Sequence, residues 1–92
     1  MAEIRWTDLA IENLNHIGNH IEQDIVNYEE IVVNKIFDVT KKLERYPYAG
    51  RMVPEFPQKH IRELTYCNYR IIYAIISEDV VDVLALHHSI RV

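Results

Sequence analysis

The charged side chains that could do chemistry in this sequence sit in apolar or proline-rich company. Arg70 interrupts the run Tyr69 to Ile76 (YRIIYAII), whose other members are aromatic or aliphatic. A guanidinium keeps its charge at any cellular pH and is rarely buried without a partner. Arg70 is therefore either half of a salt bridge, with Glu63 or Glu78 as partner, or an arginine that faces an anion at a site, and the salt bridge ranks first. Arg51 and Glu55 are the charged residues of a second such setting, Tyr46 to Pro57, which holds all three prolines and one of the two glycines. They can pair with each other or with Arg62 and Glu63. Adjacent His87 and His88 end another apolar run; on a strand they point to opposite faces, so at most one lines a site and the two cannot share a metal. His16 and His20 have the spacing of one helical turn, but no third ligand accompanies them and the surface-histidine reading is preferred.

These residues must be positioned by the C-terminal half. Ile61 to Tyr66, Tyr69 to Ile76 and Val80 to Leu86 are rich in β-branched, aromatic and aliphatic residues and are broken only by Cys67-Asn68 and Ser77-Glu78-Asp79. Such runs with short polar breaks predict two consecutive β-hairpins. Period 2 puts Arg70, Ile72, Ala74 and Ile76 on one face of the middle strand and Tyr69, Ile71, Tyr73 and Ile75 on the other. Both sets are mostly apolar, which predicts a central strand packed on both faces.

The upstream half is helical in period. Glu3 to Trp6 alternates like a short strand, with Ile4 and Trp6 inward, and Thr7 fits a helix N-cap followed by Asp8 in the first turn. Ala10, Leu14, Ile17 and Ile21 form one face of a helix ending near Asp24. Asn27 with Glu30 resembles a capping box, opening a second helix with the stripe Tyr28, Val32, Ile36, Val39, Leu43 and Tyr46, stopped by Pro47. The short connection predicts a helical hairpin lying on the sheet. The fold class is α+β, in the order β-α-α-β-β-β.

A chain of 92 residues, 49% hydrophobic, is expected to form one domain over residues 1–92. It carries no run long enough to span a bilayer, and Met1 to Trp6 lacks the pattern of a signal peptide, so a soluble cytoplasmic protein is expected. A single cysteine, Cys67, agrees with a reducing compartment and sits in or near a turn. The net charge of −4 argues against a chain that holds nucleic acid by itself. The acidic excess lies in residues 1–46, with nine acidic and five basic side chains, whereas residues 47–92 carry five of each and three histidines.

The order of elements and several residue blocks resemble the ParE/RelE toxin superfamily of type II toxin-antitoxin modules, also called plasmid stabilisation proteins. The resemblance is carried by Trp6 with Ala10, Leu14 and Ile17, by Gly50-Arg51 with Val53-Pro54-Glu55, by Arg62-Glu63-Leu64, by Tyr69 to Tyr73 and by Leu86 to Ser89. It implies a helical hairpin on a small antiparallel sheet and a cognate antitoxin as partner; no cofactor, metal or membrane is expected.

The resemblance leaves two activities. RelE-like and YoeB-like members are ribosome-dependent mRNA endoribonucleases, and their pattern would make Glu55, Arg70 and His88 the base, cation and acid that RNA cleavage needs. ParE-like members poison DNA gyrase. Arg51, Arg62, Tyr73, His87 and Arg91 are further candidates to face a target or an anion. No tyrosine follows the histidine pair here, and the loop from Tyr48 to Phe56 has no lysine, both departures from the nuclease pattern. The ending Leu-His-x-Ser at Leu86 to Ser89 and the acidic charge favour a ParE-like gyrase inhibitor. The alternative is an endoribonuclease acting with ribosome and mRNA, and the lowest-ranked reading is a non-toxic interaction module.

Overall fold

A computed structural model describes the backbone of residues 1–20 and 28–88 and the side chains of residues 1–17 and 31–88. The elements are β1 (Glu3–Trp6), α1 (Asp8–His20), α2 (Tyr28–Lys41), a 3-10 turn (Lys42–Glu44), β2 (Arg51–Met52), β3 (Ile61–Tyr66), β4 (Tyr69–Ser77) and β5 (Val80–His88). The predicted α1 end near Asp24, the cap at Asn27, and Ile21 lie outside the described residues.

The strands form one sheet in the order β1-β5-β4-β3-β2, with β4 central as its apolar run predicts. Two features were not legible from the runs. The loop contributes the two-residue strand β2, and β1 pairs with β5 in parallel while the other pairs are antiparallel. The parallel pair is held at its end by Thr7. Its hydroxyl donates to the Val83 carbonyl at 2.9 Å and accepts the Ala10 N–H at 3.2 Å, so one side chain caps α1 and docks it on β5. Beyond Trp6, β1 no longer covers the β5 edge, and the Leu86 N–H donates instead to Asn13 Oδ1 of α1 at 3.1 Å.

The helices cover one face of the sheet. Ala10, Leu14 and Ile17 of α1 and Val32 and Ile36 of α2 pack with Ile71, Val83 and Leu86, the stripe that the helical spacing predicts. A second group, Ala2, Leu43, Tyr73, Ile75 and Val81, continues this layer. Tyr46 departs from the stripe and is exposed, because the chain tightens into the 3-10 turn after Lys41 and the α-helical phase is lost before it. The expectation that both faces of β4 are packed is met on one side only. On the Arg70 face the cover is the loop around Val53, and Ile76 stays 54% exposed.

Candidate functional site around Arg70

The loop between the 3-10 turn and β3 is clamped from below by Tyr73. The Tyr73 hydroxyl donates to the Pro47 carbonyl at 2.7 Å and accepts the Gly50 N–H at 2.9 Å, while Arg62 Nη1 donates to the Gly50 carbonyl at 3.1 Å. Glycine is required at position 50 by close approach. A Cβ there would collide with the Glu63 carbonyl oxygen and lie 2.7 Å from the Tyr73 hydroxyl. The chain leaves Gly50 as β2, buries Val53, and turns back so that the Phe56 N–H meets the Val53 carbonyl at 3.0 Å. Pro54 suits the second position of that turn, and Glu55 is carried at its third.

That placement delivers Glu55 to Arg70. The guanidinium Nη1 and Nη2 bond the two Glu55 oxygens at 2.9 and 3.0 Å. Behind it, Nε and Nη2 reach Glu63 Oε2 at 2.6 Å, and the other Glu63 oxygen takes Arg51 Nε at 2.6 Å. The Glu63 side chain is fully buried, on the same sheet face as its cross-strand partner Arg51. The result is an alternating chain of charges, Arg51, Glu63, Arg70 and Glu55. A buried carboxylate with a guanidinium on each oxygen has its charge answered on both sides, which is the condition for such a group to be buried at all.

The electrostatics follow from these contacts. The hydrogen bonds from Arg70, helped by the loop's own backbone amide, hold the Glu55 carboxyl well below its ordinary range, at about 2. Arg70 is pushed upward by the bonds to Glu55 first and Glu63 second. Burial raises the Tyr73 hydroxyl. A general base works best with a pKa near the operating pH, and a carboxylate held at about 2 has little appetite for a ribose proton. In the free chain the outer edge of the Arg70 fork is occupied by Glu55 and the inner side by Glu63.

Glu55 and Arg70, two of the three residues that the resemblance would make catalytic, therefore meet as an ion pair. His88 stands apart. Its ring lies 5.0 Å from that of Tyr69, its register partner, whereas the residue paired with Arg70 across the sheet is His87. Both histidines border an open depression of about 390 Å³, together with Val53, Glu55, Phe56, Arg70 and Ile72. The depression lies at the Tyr69↔His88 end of the β4–β5 ladder.

The other candidates fall in different places. Tyr73 is wholly buried with its hydroxyl engaged by the loop, so it does not face a target. Arg62 is spent on the Gly50 and Lys59 carbonyls and lies over the Tyr48 ring at 5.1 Å. Arg51 keeps two thirds of its side chain exposed. Arg91 lies outside the described residues, as does the side chain of His20, while His16 is exposed. Among the described residues no group of three or more His, Cys, Asp or Glu could hold a metal ion, and no helix is long and apolar enough to cross a membrane. Sequence reasoning treated Glu63 only as a pairing partner; its place at the centre of the network is set by the β2–β3 register, which no local pattern carries.

The family model described as ParE toxin of type II toxin-antitoxin system, parDE, matches residues 4–92. The chain belongs to the ParE toxin family. It is thus a ParE-like toxin of the type II class, and the closed Glu55–Arg70 pair is a feature of this ParE chain. A solved chain from the chromosomal ParDE TA system from P. aeruginosa is similar to it in fold, with a TM-score of 0.80 over 98% of each chain at 21% identity. A search of curated proteins finds no match.

Proposed function

We propose that this ParE-like toxin arrests bacterial growth in the cytoplasm by inhibiting DNA gyrase, as a binding protein and not as an mRNA endoribonuclease, and that a cognate antitoxin neutralises it. The observation that carries the choice is the closed pair. Glu55, held at about 2 and bonded by both oxygens to Arg70, is a poor general base for RNA cleavage. The net charge of −4 supports a protein target over an RNA one. Exposed Leu9, Ile11, Ile31 and Phe37 give the helical layer an apolar surface that an antitoxin segment can cover.

Two experiments test this. Induction of the chain alone in bacteria stops growth, and co-expression of the neighbouring small gene restores it; normal growth with verified soluble protein contradicts the toxin reading. Purified chain added to gyrase and relaxed plasmid blocks supercoiling, and undiminished supercoiling at saturating toxin contradicts the target.

A further inference from the structure

The Arg70 fork is built as a carboxylate receptor that holds an internal carboxylate. Its inner side is fixed by Glu63, whose side chain is fully buried and cannot be exchanged without unpacking the sheet. Its outer edge, Nη1 and Nη2, opens to the depression, and the group bonded there is Glu55, more than half exposed on a turn. Bidentate pairing of this kind fits any carboxylate of the same geometry. The walls beside it, Val53, Phe56 and Ile72, are apolar, Phe56 is 58% exposed, and His87 lies across the sheet from Arg70.

We infer that Glu55 is a displaceable stand-in, and that a partner protein presenting a carboxylate beside an apolar side chain exchanges with it on Arg70 and fills the depression. A protein carboxylate is favoured over a nucleic-acid phosphate because the site already shows a carboxylate in the bound geometry, and because a segment presenting one carboxylate is repelled less by the chain's net charge of −4 than a nucleic acid charged at every nucleotide. The exchange makes Arg70 a recognition group that stays shielded until the partner arrives, since Glu55 covers it in the free chain. The inference rests on the reading above only in taking the partner to be a protein. Gyrase does not enter its test, so the two can fail separately.

The test uses the whole purified chain, wild type and Glu55→Gln, labelled with nitrogen-15 and followed through the Arg70 Nε–H resonance, assigned by its loss in Arg70→Lys. The probes are a hexapeptide alternating leucine and glutamate, acetylated at its N-terminus and amidated at its C-terminus, its glutamine counterpart with the same ends, and a hexanucleotide of uridylate. Glu55 is on the surface, so Glu55→Gln is expected to fold. The glutamate peptide shifts the Arg70 resonance in both proteins and binds Glu55→Gln roughly three- to tenfold tighter, because an exposed internal competitor has been removed. The glutamine peptide leaves the resonance unmoved, and Arg70→Lys, which lacks the fork, binds the glutamate peptide more weakly. An unmoved Arg70 resonance in Glu55→Gln, or equal affinity in the two proteins, overturns the exchange. Preference for the hexanucleotide overturns the assignment to a protein.

Discussion

Glu55 and Arg70, fifteen residues apart in sequence, meet through two parallel bonds of 2.9 and 3.0 Å, and the turn at Val53 to Phe56 exists in a form that makes this contact. The pair gives the fold a pH dependence with a defined sign. A carboxyl whose folded pKa is depressed stabilises the fold above its unfolded value and loses that contribution as pH falls toward the folded one. For Glu55 the window runs from its ordinary 4.5 down to about 2. The urea midpoint of the wild type therefore falls more steeply across that window than that of Glu55→Gln, which has no carboxyl at position 55 to titrate. Parallel curves would contradict the pairing.

Glu63→Gln tests the centre of the network. Removing the charge leaves two guanidinia facing a neutral amide. The loss expected is about 2 kcal/mol, below the range for a fully buried pair because Arg51 and Arg70 keep contact with solvent. Urea denaturation at pH 7 measures it, and a stability equal to wild type would mean the network is not formed.

Gly50→Ala and Tyr73→Phe test the clamp under the loop. The added Cβ meets backbone oxygen and the tyrosine hydroxyl, neither of which can yield cheaply, so a cost of about 2 to 3 kcal/mol is expected. Tyr73→Phe strands the Gly50 N–H and the Pro47 carbonyl, for about 1 to 2 kcal/mol. The double variant loses less than the sum, because both act on one contact. Strict additivity in chemical denaturation would argue against a shared clamp.

Cys67 is the one non-glycine residue at positive φ among the described residues, at 53°, in the two-residue turn joining β3 to β4. An L side chain is disfavoured there, so Cys67→Gly is expected to raise stability by about 0.5 to 1 kcal/mol in thermal or urea melts, and a loss would contradict the turn geometry.

The hairpins, the Thr7 cap and the core stripes could be read in advance because each rests on local spacing: Cys67-Asn68 and Ser77 to Asp79 break the runs, and Ala10, Leu14 and Ile17 recur at helical intervals. Arg70 with Glu63 was also within reach, since a guanidinium in an apolar strand demands a carboxylate and few stood near. What stayed hidden depends on long-range register. The burial of Glu63 follows from Arg51 lying opposite it, the placing of His87 beside Arg70 from the bulge between Ile72 and Tyr73, and the parallel entry of β1 from its pairing with β5. Tyr46 was misplaced because one 3-10 turn resets the helical phase.

If Glu55 is the internal partner of Arg70 in the free chain and not a general base, the toxin arrests growth without cutting RNA. Primer extension on mRNA from cells induced for the wild type and for Glu55→Gln tests it most directly. The expected result is intact messages in both, with growth still arrested by Glu55→Gln and with DNA breaks and an SOS response in the arrested cells. Ribosome-phased cuts in wild-type messages that vanish in Glu55→Gln would contradict the account and make Glu55 the base of an mRNA endoribonuclease.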